Sequence, residues 1–88
     1  MGLETVEILM QIEEQFEIRI PTQTFYGDLL ILGELHKHLV LRLKERGEAV
    51  DDSHVWQRLR ALVAAQLGVA EDVVTPQSHL VDDLGADR

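Results

Sequence analysis

Apolar residues recur at helical spacing in three separate stretches, and this pattern constrains the fold more than any other feature. In the first stretch the stripe advances by three and four residues at Leu3, Val6, Leu9, Ile12 and Phe16. The helix is predicted to end near Phe16 or Glu17, because β-branched residues and then Pro21 follow. The spacing therefore predicts an amphipathic helix that buries one stripe and leaves its other side in solvent.

Two more helices are predicted downstream. The helical period returns from Glu34, with Leu35, Leu39, Val40 and Leu43 on one side of this second helix, and Gly47 is a plausible stop. Residues 47–53 have no stripe and form the predicted linker, in which Asp52 or Ser53 supplies the N-cap of the next helix. The third stripe consists of Val55, Leu59, Leu62, Val63 and Leu67, and Gly68 is expected to close the helix in the left-handed conformation.

These stripes predict an all-α fold, a single small bundle of three main helices. A short extra turn is expected around Leu29 or in the loop after Gly68. The predicted core comprises Leu3, Val6, Leu9, Ile12, Phe16, Ile20, Leu35, Leu39, Leu59, Leu62, Val63, Leu67, Val69 and Leu84.

Composition narrows the classes of function. The 88 residues carry a net charge of −8, which disfavours nucleic acid because binding it needs a basic surface. The chain has no cysteine, and His36 and His38 are two residues apart on different helix faces, so no metal site is expected. There is no apolar run of membrane-spanning length, and no catalytic motif points to an enzyme, so a cytoplasmic, non-catalytic protein is expected.

Two blocks of sequence match the motifs of one known protein family. That family's second helix reads roughly Asp-Ser-Leu-Asp-Thr-Val-Glu-Leu and ends in Phe-x-Ile-x-Ile-Pro, and this chain has Leu3-Glu4-Thr5-Val6-Glu7-Ile8 and Phe16-Glu17-Ile18-Arg19-Ile20-Pro21. Ile31-Leu32-Gly33-Glu34-Leu35 resembles the start of the family's last helix. The family's first helix and long loop are matched by Gln66-Leu67-Gly68-Val69, Val73-Val74-Thr75-Pro76 and Asp82-Asp83-Leu84-Gly85-Ala86-Asp87.

The order of these blocks is rotated relative to the family. Residues 1–46 resemble the second and last helices, residues 47–53 are the linker, and residues 54–88 resemble the first helix and long loop. The chain therefore resembles a circularly permuted acyl carrier protein. A natural or engineered permutation is possible, and so is a cut from a tandem repeat that joins half of one unit to half of the next.

The resemblance also implies a cofactor, 4′-phosphopantetheine, esterified to a serine at the start of the second helix. Between Asp87 and Leu3, where that serine is expected, the chain offers only Arg88, Met1 and Gly2, and none has a hydroxyl. Ser53 follows Asp52 as a weak alternative attachment site, although a capping role suits it better. We therefore expect no cofactor on this chain.

The resemblance further implies a partner-recognition surface. It consists of the acidic residues Glu4, Glu7, Glu13 and Glu14, which in the family face basic surfaces of acyl-transfer and synthase enzymes. The expected function is a carrier-like module of fatty-acid or polyketide metabolism that does not carry acyl groups. The alternative is a structural or interaction protein that keeps the carrier fold without carrying anything. The structural interpretation of these glutamates is a solvated surface. A monomer is favoured, and a swapped dimer is possible.

Overall fold

The computed structural model describes residues 3–20, 31–80 and 83–84, with side chains from Val6 onwards in the first helix. Helix α1 spans Leu3–Phe16, α2 spans Leu32–Glu45 and α3 spans Asp52–Leu67, and a 3₁₀ turn follows at Glu71–Val73. In these described ranges the only extended pairing is an isolated antiparallel bridge between Ile31 and His79. The predicted all-α bundle with a short extra turn after Gly68 is confirmed.

Helix α3 is the central packing element, since it contacts both α1 and α2 as well as the 3₁₀ turn. The buried core draws residues from all three helices and from the loop that follows the 3₁₀ turn. Its most enclosed members, each at most 2% exposed, are Ile8, Leu9, Ile12, Leu32, Leu35, Leu39, Leu59, Val63, Val74 and Leu80. The two blocks of sequence that resemble different parts of a carrier protein are therefore packed into one core.

The core of α1 differs from the predicted stripe. Val6 is 41% exposed, whereas Ile8, which the sequence analysis did not place inside, is fully buried. The reason is geometric, because a step of three residues falls short of a full turn by about 60°. Successive steps of three, from Leu3 to Val6 to Leu9, therefore place side chains on different faces of the helix. The buried face is formed by Ile8, Leu9, Ile12 and Phe16.

Several other residues of the predicted core are only partly shielded from solvent. Leu62, Leu67, Val69 and Leu84 are only partly buried and pack against the rim of the core. Four residues outside the predicted core are buried instead, namely Leu32, Ala64, Val74 and Leu80. The expected burial of the Leu3 side chain and the possible turn around Leu29 fall outside the part of the chain that the structure describes.

The helix boundaries also differ in detail from the prediction. Helix α2 begins at Leu32, two residues before Glu34, and α3 begins inside the segment assigned to the linker. The N-cap of α3 is Asp51, not Asp52 or Ser53: its carboxylate accepts hydrogen bonds from the backbone N–H groups of Ser53 at 3.0 Å and His54 at 3.4 Å. Gly68 ends α3 with φ of 69°, as its position predicted.

The start of α2 is held by the loop after the 3₁₀ turn. Ile31, the N-cap residue, has no side-chain oxygen, so the first amides of α2 need other partners. The Leu32 N–H donates to the Ser78 carbonyl at 3.0 Å, and the Gly33 N–H donates to the Pro76 carbonyl at 2.8 Å. These two hydrogen bonds join the two sequence blocks at the backbone level. No helix of the described ranges is both long enough and apolar enough to cross a membrane.

Candidate functional site

The face of α1 opposite the core carries both acidic and apolar side chains. Glu7 and Glu14 are exposed on this face. Two large apolar side chains accompany them, with Val6 41% and Met10 61% exposed. We call these four residues the acidic face. A separation of seven residues is nearly two turns, so the two carboxylates lie about 10 Å apart along the helix axis.

The predicted recognition glutamates do not all belong to this face. Glu13 is partly buried, and its carboxylate accepts a hydrogen bond from the Ile20 N–H at 2.8 Å. Its backbone carbonyl also accepts from the Ile18 N–H at 3.1 Å, so Glu13 mainly organises the chain that leaves α1. Glu7 contacts the Gln66 amide of α3 at 3.5 Å, while the side chain of Glu4 lies outside the described atoms.

Arginines from the other helices fix the C-terminal end of α1. Arg46 donates through Nη1 to the Phe16 carbonyl at 3.0 Å, and it also contacts the Glu17 carbonyl. Arg58 donates to the Gln15 carbonyl at 2.9 Å, and its guanidinium lies 4.4 Å from the centre of the Phe16 ring. The last carbonyls of a helix carry partial negative charge, so these cations stabilise α1 and orient its acidic face.

Of the positions considered for phosphopantetheine attachment, the structure describes Ser53 but not the residues at the two chain ends. Arg88, Met1 and Gly2 lie outside the described residues, as does Asp87. Ser53 is exposed in the first turn of α3, where only its backbone N–H takes part in the Asp51 cap. The following helix does not present an acidic face there, because Arg58 and Arg60 project from it to carbonyls of Gln15 and Glu71.

Ser78, the other serine in this half, is buried inside a turn. Its hydroxyl accepts from the Thr75 N–H at 3.1 Å, lies 2.9 Å from the Thr75 hydroxyl and donates to the Val73 carbonyl at 3.3 Å. These hydrogen bonds stabilise the turn, so the role of Ser78 is that of a turn residue.

Two of the four histidines, His36 and His38, lie at partly buried positions of α2. His36 lies with its Nε2 2.9 Å from the Asp52 carbonyl and its ring edge-on to Trp56, with centroids 5.7 Å apart. Burial lowers the pKa of His38 below its ordinary value of 6.5, and nearby Arg42 lowers it further while Glu45 opposes the shift. The Nε2 of His38 is buried and has no hydrogen-bond partner among the described residues. Within those residues no three His, Asp or Glu side chains are grouped so that they could hold a metal ion.

Sequence reasoning found the glutamates of the acidic face but not its apolar members. The apolar stripe predicts Val6 in the core and makes no prediction for Met10. The signal was available in the helical register, since Met10 is one turn beyond Val6 and is flanked by Glu7 and Glu14. No protein-family model matches the chain, and no solved structure matches it at a significant level.

Proposed function

We propose that this chain is an acyl-carrier-like recognition module that has the partner-binding helix of a carrier protein but no group to carry an acyl chain. The single observation that carries the proposal is the composition of the acidic face, in which exposed Glu7 and Glu14 flank exposed Met10. Such a face can bind a basic surface that has an apolar contact at its centre. It lies on the helix that most closely resembles the recognition helix of the carrier family.

The physical mechanism is association without bond-making. Fields from a chain of net charge −8 raise the rate at which a basic partner surface is encountered. Each exposed ion pair then contributes about 0.2–1 kcal/mol, and burial of Val6 and Met10 adds a hydrophobic contribution. Because α1 is held by arginines from α2 and α3, little conformational entropy is lost when its face is bound.

The sequence supports the absence of an attachment serine in both segments that would flank it. The residue after Asp87 is Arg88, and the residue before Leu3 is Gly2, so neither block has serine at the attachment position. This holds whether the chain is a permuted module or joins halves of two repeats. Ser53 is a poor substitute, because α3 lacks an acidic face beside it.

A competition assay tests this proposal. An authentic acyl carrier protein, a phosphopantetheinyl transferase and coenzyme A are incubated with increasing amounts of this chain, and intact masses of both proteins are recorded. We expect this chain to keep its mass while it slows modification of the carrier protein. A mass gain of one phosphopantetheine on this chain, abolished by Ser53→Ala, would move the attachment site to Ser53.

Matched variants identify the face responsible. Reversal of the two carboxylates in E7K/E14K should abolish the inhibition. The control E71K/D72K changes net charge by the same amount on the exposed 3₁₀ turn and should inhibit like the parent chain. Equal inhibition by both variants, or none by the parent chain, would favour the alternative of a structural protein whose glutamates are only a solvated surface.

A further inference from the structure

Helix α2 carries an outward face of its own that the core does not use. Leu41 is 56% exposed at its centre, and Lys37 and Lys44 stand four residues before and three residues after it. These are the two lysines of the chain. The Lys37 side chain is 76% exposed, with its ammonium 3.5 Å from Glu34. We call Lys37, Leu41 and Lys44 the lysine face.

The lysine face has the same plan as the acidic face with the charges reversed. Each has two like charges seven residues apart, about 10 Å along the axis, on either side of an exposed apolar side chain, and the acidic face has a second such side chain in Val6. In α1 these are Glu7 and Glu14 around Met10. The arginines that could disturb this pattern are engaged elsewhere, since Arg46 binds carbonyls at the end of α1 and Arg42 pairs with Glu45 at 3.7 Å.

The angular positions of the charges also match. At about 100° per residue, Glu7 and Glu14 lie about 40–60° ahead of Met10 around α1, whereas Lys37 and Lys44 lie about 40–60° behind Leu41 around α2. When two parallel helices face each other, a side chain rotated in the positive sense from the contact line on one helix lies opposite a side chain rotated in the negative sense on the other. The register that sets Met10 against Leu41 therefore brings Glu7 near Lys37 and Glu14 near Lys44.

We propose that the lysine face of one chain docks the acidic face of a second copy of the same chain. The contact is heterologous, since different surfaces meet, so one copy of the pair retains its acidic face and the other retains its lysine face. One helix pair buries less than the roughly 1,200–2,000 Å² of a stable interface, so the association is weak and seen only at high protein concentration. It needs no enzyme and no cofactor, and it stands independently of the function proposed above.

Nuclear magnetic resonance on isotopically labelled protein tests this contact by a concentration series. We expect amide shifts to change with concentration along Val6–Glu14 and Lys37–Lys44, and little elsewhere. Each of E7K/E14K and K37E/K44E should lower the association constant about tenfold, because two surface ion pairs become two repulsions. The control E71K/D72K should associate like the parent chain.

Mixing the two reversed variants is the decisive arm. The reversed acidic face of one then meets the reversed lysine face of the other, so association should return to the parental level in the mixture while each variant alone stays dispersed. Circular dichroism of each variant checks that the helices remain folded. Concentration-independent shifts in the parent chain, shifts confined to other surfaces, or a mixture of folded variants that does not associate would each overturn the proposal.

Discussion

Replacement of Gly33 by alanine tests whether the loop after the 3₁₀ turn is seated on α2. A Cβ at this position would lie 2.8 Å from the Pro76 carbonyl oxygen, closer than real Cβ contacts allow. That oxygen cannot easily move away, because it accepts the hydrogen bond from the Gly33 N–H at 2.8 Å. The loop must shift, and the hydrogen bond must lengthen with it.

The sign of the effect is decided by two opposing contributions. Overpacking of this kind costs about 1–3 kcal/mol, whereas the better helix propensity of alanine returns up to about 1 kcal/mol. With the full propensity gain, we therefore expect Gly33→Ala to lower the free energy of unfolding by up to about 2 kcal/mol. For a domain of this size that corresponds to a fall in melting temperature of roughly 4–8 °C per kcal/mol.

Urea unfolding followed by circular dichroism measures this change, and amide hydrogen exchange shows where it acts. Exchange at Leu32 and at position 33 should accelerate most. Gly47→Ala is the matched control: Gly47 has φ of 82° and nothing within 4 Å of a Cβ, so any loss there arises from the backbone alone and leaves the start of α2 protected. A Gly33→Ala protein that is more stable than the parent would show that the loop does not bind α2, and the two sequence blocks would not share this contact.

Four further substitutions test the other contacts. Arg58→Ala should cost about 1–2 kcal/mol in urea unfolding, because it removes a bond to a helix-end carbonyl and a cation–π contact; an unchanged midpoint would contradict that role. Asp51→Ala should cost about 1 kcal/mol as a lost N-cap, while Ser53→Ala should be nearly neutral, and the reverse order would return the cap to Ser53. Stability should fall as pH drops below about 6.5, because the unfolded chain binds a proton that folded His38 resists; the same titration of His38→Gln should show a smaller fall, and identical pH profiles would exclude this group.

The periodic part of this fold could be predicted from sequence, because it depends on local geometry. The three apolar stripes predict the three helices, and the predicted core residues Leu35 and Leu39 of α2 are buried, as are Val40 and Leu43 on the same side. The error at Val6 arose where apolar residues occur at almost every step, as in Val6, Ile8 and Leu9. Only packing against α3 selects among such candidates, and that information is not local.

The tertiary hydrogen bonds could not be predicted from period alone. Asp51, Asp52 and Ser53 are all good N-cap residues, and the backbone conformation of Asp51 decides which one caps. The use of Arg46 and Arg58 as caps for α1 depends on where the C-terminal end of α2 and the middle of α3 lie in space. The acidic face was recognised at Glu7 and Glu14, but Glu13 could not be separated from it until its bond to the Ile20 N–H was seen.

Direct mapping of a bound partner tests the central claim that the acidic face of α1 is the recognition surface. Labelled chain is titrated with a carrier-dependent synthase that has a basic docking surface, and amide shifts or line broadening are followed residue by residue. The account predicts that the largest changes occur at Val6, Glu7, Met10 and Glu14, and that E7K/E14K weakens binding at least about tenfold while E71K/D72K does not. Saturable binding that leaves these four residues unperturbed, or no binding by the folded parent chain, would contradict it.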